Sequence, residues 1–224
     1  MNIVLEYIKY RLNAKYLHGV HSPFVYDFMK NAMGINIKEQ HQEEILQCIS
    51  NVNSNKKEII VQDYGAKSKK LKGKRSVREI FKTSSSYGKN ALLLYRISNY
   101  FKPKRILELG TSIGIGSLHL HLGCPSAHIT SVEGCQETFN LAKQNLESTN
   151  IELMNSTFYD YIKSLNEESF DLIFIDGHHD GEALKYYLKL LSNYIHNDTI
   201  KKRRVFKTPF RTWSLVGKPN KHRQ

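Results

Sequence analysis

The clearest pattern in the chain is an alternation between short apolar runs and longer amphipathic stretches. Arg105 to Leu109 (RILEL) is a compact apolar run, the pattern of a strand buried on both faces. Gly110, Gly114 and Gly116 then break the periodicity, and apolar spacing resumes as a helix over 115–122. The alternation repeats downstream. Strands are predicted at 128–132 (HITSV), closed by Glu133, at 151–154, and at 170–176 (FDLIFID). Helices are predicted over 136–148 and 182–194, the second with Ala183, Leu184, Tyr187, Leu188 and Leu191 on one side. Strands alternating with helices predict a doubly wound, mainly parallel α/β sheet of Rossmann-like type.

The half of the chain before residue 101 reads differently. Val4, Leu5, Ile8 and Leu12 have helical spacing, and Ser22–Pro23 has the form of an N-cap with proline at the first helical position. Helices follow over 24–33, 38–52, 76–84 and 89–100, and Pro103 marks the end of the last. The expectation is an N-terminal helical cap over residues 1–100. IIVQDYGAK is read as a short extended segment. Lys67, Lys69, Lys70, Lys72, Lys74 and Arg75 form a charge run, read as a solvated loop or as a flap meeting an anionic ligand. His18 and His21 flank the Ser22 turn, as packing residues or as catalytic ones.

Composition narrows the partners. The 224 residues are 40% hydrophobic, enough for one core with an appendage. The net charge of +12 suggests nucleic acid until its distribution is examined. From Lys201 onward there are nine basic residues and no acid, so residues 1–200 hold 24 bases against 21 acids, about +3. No apolar run approaches the roughly 20 residues of a membrane span. Cys48, Cys124 and Cys135 are odd in number and lack metal-site spacing, which fits a reducing, cytoplasmic setting.

The glycine turn carries the chemistry. A G-x-G-x-x-G dinucleotide fingerprint does not fit Gly110, Ser112, Gly114 and Gly116. Glycine allows tight turning and close ligand approach, and a helix N-terminus offers free N–H groups to polar ligand atoms. Glu133 closes the next strand about 20 residues on, where an acceptor-only carboxylate takes both hydroxyls of a ribose. Ser156 and Thr157, in the loop after 151–154, are candidates for the edge of an adenine ring. Asp176, His178, His179 and Asp180 cluster where strand carboxyl ends hold a site.

These residues resemble a known group. Glu108, Gly110 and Gly114 match motif I (E-x-G-x-G-x-G) of class I S-adenosylmethionine (SAM) methyltransferases, with Ser112 at the middle glycine. Phe174 to His179 resembles the F-I-D-G-x-H segment of small O-methyltransferase-like proteins, and HGVHSPFVYDF and LLLYRISNYFKPKRILELGTS are similar to methyltransferases of that type. The resemblance covers residues 1–200. It implies that Glu108, Gly110 and Ser112 line the amino-acid end of SAM, that Glu133 holds the ribose, and that Asp176 lies under the sulfonium or beside the acceptor. An aspartate at the Asp176 position binds a divalent cation in the metal-dependent members. Here a divalent metal is a secondary expectation with no ligand set assigned. His178 or His179, titrating near neutrality, would serve as a general base.

The match ends at Lys201-Lys202-Arg203-Arg204, where a fifth parallel strand is expected. Four adjacent cations do not suit a strand buried on both faces. The expectation is that this strand is absent or displaced to 204–208, that the remaining C-terminal strands are missing or disrupted, and that 201–224 is a basic, poorly ordered tail replacing the family's natural ending. The expected organisation is thus a cap at 1–100, a SAM-binding domain at 101–200 and the tail. The leading function is methyl transfer from SAM to a small-molecule oxygen or nitrogen acceptor. The alternatives are a catalytically impaired, truncated SAM-binding remnant and a basic nucleic-acid-binding protein.

Overall fold

In the computed structural model, the described residues are 23–62, 73–84, 86–166, 169–177, 181–203 and 215–216. The chain divides into two compact units, Met1–Asn36 and Ile37–Gln224. In the first, Pro23–Asp27 is a short helix, α1, continued by a π-turn at Phe28–Ala32.

The second unit opens with α2 (Glu39–Ser54), an antiparallel hairpin of β1 (Glu58–Val61) and β2 (Gly73–Ser76), α3 (Val77–Ser84) and α4 (Lys89–Phe101). β1 falls in the segment read as extended, whereas β2 stands where a loop is expected. Lys74 and Arg75 lie in β2, paired with Ile60 and Ile59, while Lys67 to Lys72 lie outside the described residues. The α/β part follows: β3 (Arg105–Leu109), α5 (Ile115–Gly123), β4 (His128–Glu133), α6 (Gln136–Asn145), β5 (Glu152–Asn155), α7 (Phe158–Ser164), β6 (Phe170–Ile175), α8 (Gly181–Leu190), a 3₁₀ turn at Leu191–Tyr194, β7 (Ile195–Arg203) and β8 (Leu215–Val216). Helix α7 has no counterpart in the sequence reading, because its seven residues are too few to show a helical period.

The sheet order is β5-β4-β3-β6-β7-β8, parallel except for β8. The chain winds from β3 outward to β5 and then returns to β6 on the other side of β3. The order therefore reverses between β3 and β6, where an open α/β sheet leaves a crevice beyond its strand carboxyl ends. Strand alternation sorts the flanking layers. Leu107, Leu109, Val132, Ile173 and Ile175 pack with Tyr161 and Ile162 of α7 and Leu184, Tyr187 and Leu191 of the α8 region. Glu108, on the opposite face of β3, meets α5. Helix α5 also packs tightly on α4. A Cβ on Gly123 would collide with the Tyr95 carbonyl oxygen, so the two backbones touch there.

The C-terminal expectation is corrected. A fifth parallel strand is present at Ile195–Arg203, and Lys201, Lys202 and Arg203 pair with Ile173, Phe174 and Ile175 of β6. Leu215–Val216 adds an antiparallel pairing to Lys202 and Lys201. The expectation rests on burial of the whole strand, but a ladder requires only backbone N–H and C=O groups. Apolar packing is met earlier, by Thr199 and Ile200, which are 2% and 6% exposed. The register shifts between Phe170 and Leu172. The Thr199 hydroxyl bridges that irregularity, donating to the Phe170 carbonyl at 2.7 Å and accepting the His196 amide at 2.8 Å. Residues 204–214 and 217–224, including the displaced-strand segment 204–208, lie outside the described residues.

Candidate functional site

The site is assembled at the reversal point from the loops leaving β3, β4 and β6. Leu109 gives its carbonyl to the Asp176 amide at 2.9 Å, and Val132 gives its carbonyl to the Gly110 amide at 2.9 Å. Gly110 has φ +109°, and a Cβ there would stand 2.9 Å from Gly177 N and 3.0 Å from the Asp176 carbonyl carbon. Only glycine supplies both that conformation and that approach. At Gly177 the space a side chain would need is filled by the Phe158 ring of α7.

Ser112 stands where motif I has its middle glycine, and it adopts the left-handed conformation, φ +52°. Its amide donates to Glu133 Oε2 at 2.8 Å, and the Cys135 amide donates to Glu133 Oε1 at 2.9 Å. The Glu133 carboxylate therefore faces the mouth of the β3 loop. Burial raises its pKa, opposed by hydrogen bonds from the Cys135, Ser112 and Gly134 amides and the Thr138 hydroxyl. Cys135 Sγ in turn accepts the Gln62 amide at 3.4 Å, which ties the end of β1 to this corner.

Glu108 is enclosed, at 1% exposure. Its Oε2 accepts the Ser117 hydroxyl and the Ser131 hydroxyl, the latter at 2.6 Å, and Ser131 is joined to the Thr111 hydroxyl at 2.7 Å. Burial pushes its carboxyl up to about 7; the two serine bonds pull the other way, and the Asp176 and Glu133 charges add to the rise. Its Oε1 stands 3.2 Å from where a Cβ on Gly116 would lie. Glu108 thus underpins the first turn of α5 from within. Gly114, φ +88°, occupies the N-cap of α5 with no side-chain cap, which leaves the first-turn amides to a ligand or solvent.

Asp176 Oδ2 accepts the Ser86 hydroxyl at 2.8 Å. Ser156 and Thr157 lie beyond β5, where the Ser156 amide donates to the Glu133 carbonyl at 3.2 Å. The Ser156 hydroxyl donates to the Thr157 carbonyl at 3.1 Å. The Thr157 hydroxyl oxygen accepts the Asp160 amide at 3.1 Å and is the N-cap of α7. His178, His179 and Asp180 lie outside the described residues, as do His18 and His21.

The geometry therefore brings together Glu108, Gly110, Ser112, Gly114, Glu133 and Asp176. Sequence reasoning missed Ser86, Thr111, Ser117 and Ser131. Two of these carried a signal: Ser131 is a hydroxyl inside an apolar strand, and Ser117 one inside an apolar helix. Cys48, Cys124 and Cys135 are free and buried. Among the described residues there is no group of three or more His, Cys, Asp or Glu side chains suited to a metal ion, and no helix long and apolar enough to cross a membrane.

Comparison with known proteins agrees with this layout. Residues 107–200 match the family model described as a methyltransferase domain. Among solved structures, the chain is similar to an O-methyltransferase from Bacillus cereus in complex with S-adenosylhomocysteine (SAH), with 17% identity and TM-score 0.53, covering 79% of this chain and 70% of that one. It is similar to the SAH-bound methyltransferase PaMTH1 from Podospora anserina, with 17% identity and TM-score 0.54, covering 82% and 70%. It is also similar to the O-methyltransferase TomG from Streptomyces achromogenes, involved in tomaymycin synthesis and in complex with SAM, with 14% identity and TM-score 0.54, covering 80% and 71%. Against a structure from Staphylococcus aureus the chain spans 61% of that protein's length, with 20% identity and TM-score 0.50. Residues 107–200 thus match a methyltransferase domain, and the sheet has the fold of these solved methyltransferase structures.

Proposed function

We propose that the protein transfers the methyl group of SAM to an oxygen or nitrogen of a small-molecule acceptor. The observation that carries the reading is the Glu133 carboxylate, held beside the β3 loop by the Ser112 and Cys135 amides. The donor set suits the ligand: an acceptor-only carboxylate for ribose hydroxyls, a glycine cradle at Gly110 for close approach, and uncapped α5 amides for the amino-acid carboxylate. SAM and SAH in the similar B. cereus, P. anserina and S. achromogenes structures support the same reading.

When bound, SAM would supply an electrophilic methyl carbon to the acceptor's lone pair, with SAH as the leaving group and the acceptor's proton passing to a base or to water. The chain's own contribution is positioning. Glu133 orients the sugar, Gly110 and Ser112 shape the loop beside it, and Glu108 supports the first turn of α5 from behind. Asp176, one residue past β6, donates its amide to the end of β3 at Leu109, beside the reversal point. It serves the sulfonium electrostatically or accepts the acceptor's proton.

A transfer screen with methyl-labelled SAM against phenols, carboxylates, amines and RNA tests the proposal. Label in a small molecule is the expected result. SAH binding with no transfer would favour the impaired remnant, and transfer confined to RNA would overturn the small-molecule acceptor.

A further inference from the structure

We propose that Ser86 is a positioning residue of this site: its hydroxyl fixes the Asp176 carboxylate toward the transferable methyl. The inference rests on the proposed methyltransferase reading. It adds a residue from outside the segment 107–200 that matches the family model.

Ser86 lies in the short turn between α3 and α4, 90 residues from Asp176, and is 4% exposed. A buried hydroxyl in a turn ordinarily serves the next helix as its N-cap. The N-cap of α4 is instead Gly88, with φ +59° and no side-chain cap bond. The Ser86 hydroxyl is directed across the sheet end to Asp176 Oδ2 at 2.8 Å. On its other side, Ser86 Cβ is 3.6 Å from where a Cβ on Gly116 would stand, a position that also meets Glu108 Oε1 at 3.2 Å. Ser86 thus occupies the place where the first turn of α5 and the end of β6 converge. Ser86 lies three residues before α4, which packs backbone to backbone on α5 at Gly123 and Tyr95. A buried donor at fixed distance gives an acceptor-only carboxylate a preferred orientation.

Sinefungin is the probe. It is an adenosyl amino acid with an amine-bearing carbon in place of the sulfonium, so its ammonium lies near the position of the transferable methyl. SAH has neither. Calorimetry of both ligands on wild type, Ser86→Ala, Ser86→Thr and Asp176→Asn separates cofactor binding from Asp176 placement. Wild type is expected to prefer sinefungin over SAH, and Asp176→Asn to lose that preference. Ser86→Ala is expected to cut the preference about tenfold while SAH affinity stays within about twofold. Ser86→Thr, which keeps the hydroxyl, is expected to restore most of it. If Ser86→Ala is poorly folded by thermal melting, the near-isosteric Ser86→Cys gives the same reading. A preference unchanged in the folded Ser86 variant but lost in Asp176→Asn overturns the proposal. Failure of wild type to bind SAH overturns the methyltransferase reading, and this inference with it.

Discussion

The Ser112 amide donates to Glu133 Oε2 at 2.8 Å, from a backbone held at φ +52°. One bond therefore joins the loop after β3 to the acid that ends β4, and the loop's strained residue is the one that makes it. A non-glycine residue in the left-handed region costs about 1 kcal/mol or more. Ser112→Gly should relieve that cost and raise stability by about 0.5–1 kcal/mol in urea denaturation, with SAH affinity within a few-fold of wild type. Ser112→Val should lower stability by about 1–2 kcal/mol, because a β-branched side chain tolerates this conformation worst.

Gly110 and Gly181 are predicted to respond oppositely to alanine. At Gly110 a Cβ meets backbone at 2.9 and 3.0 Å with φ +109°, whereas a Cβ on Gly181 meets nothing within 4 Å. Gly110→Ala should destabilise by about 2–4 kcal/mol and abolish measurable SAH binding. Gly181→Ala, at the start of α8, should be neutral or stabilise by up to about 1 kcal/mol. Paired urea melts and SAH titrations decide both.

Glu108 should leave a pH signature on stability. Its folded-state pKa is raised from 4.5 to about 7, chiefly by burial. The folded protein then holds a proton that the unfolded chain releases near 4.5, so stability falls as pH rises through that interval and levels off above about 7. Glu133 shifts in the same direction, so the contribution of Glu108 is read as a difference. Wild type minus Glu108→Gln, measured by urea denaturation from pH 4.5 to 8, should decline by up to about 3 kcal/mol. A flat difference would contradict a buried, titrating carboxyl.

Thr157 separates a cap from an adenine contact. Its hydroxyl oxygen accepts the Asp160 amide at 3.1 Å at the start of α7. Thr157→Ala should cost about 1 kcal/mol of stability. SAH affinity should stay within about threefold. A larger loss of affinity with stability unchanged would support the adenine role.

What was legible in the sequence follows from how each signal is encoded. The strands at 105–109 and 170–176 and the helices over 89–100, 115–122 and 182–194 are read from apolar period, and their alternation implies the doubly wound sheet that builds the crevice. Gly110 and Glu133 are legible because turn chemistry and strand ends are local features. The serines around Glu108 and Ser86 beside Asp176 are not, because their partners lie 9, 23 and 90 residues away and only the packed sheet brings them together. The fifth strand was misread because consecutive cations suggest solvent, while backbone pairing to β6 is indifferent to side-chain charge.

A crystal structure of the protein with SAH tests the central claim most directly. The account predicts both ribose hydroxyls within hydrogen-bond distance of the Glu133 carboxylate, with the Gly110–Gly114 loop against the ligand. SAH bound away from the β3–β6 reversal point, or a Glu133 that keeps only its Ser112 and Cys135 amides while the ribose lies elsewhere, would contradict it.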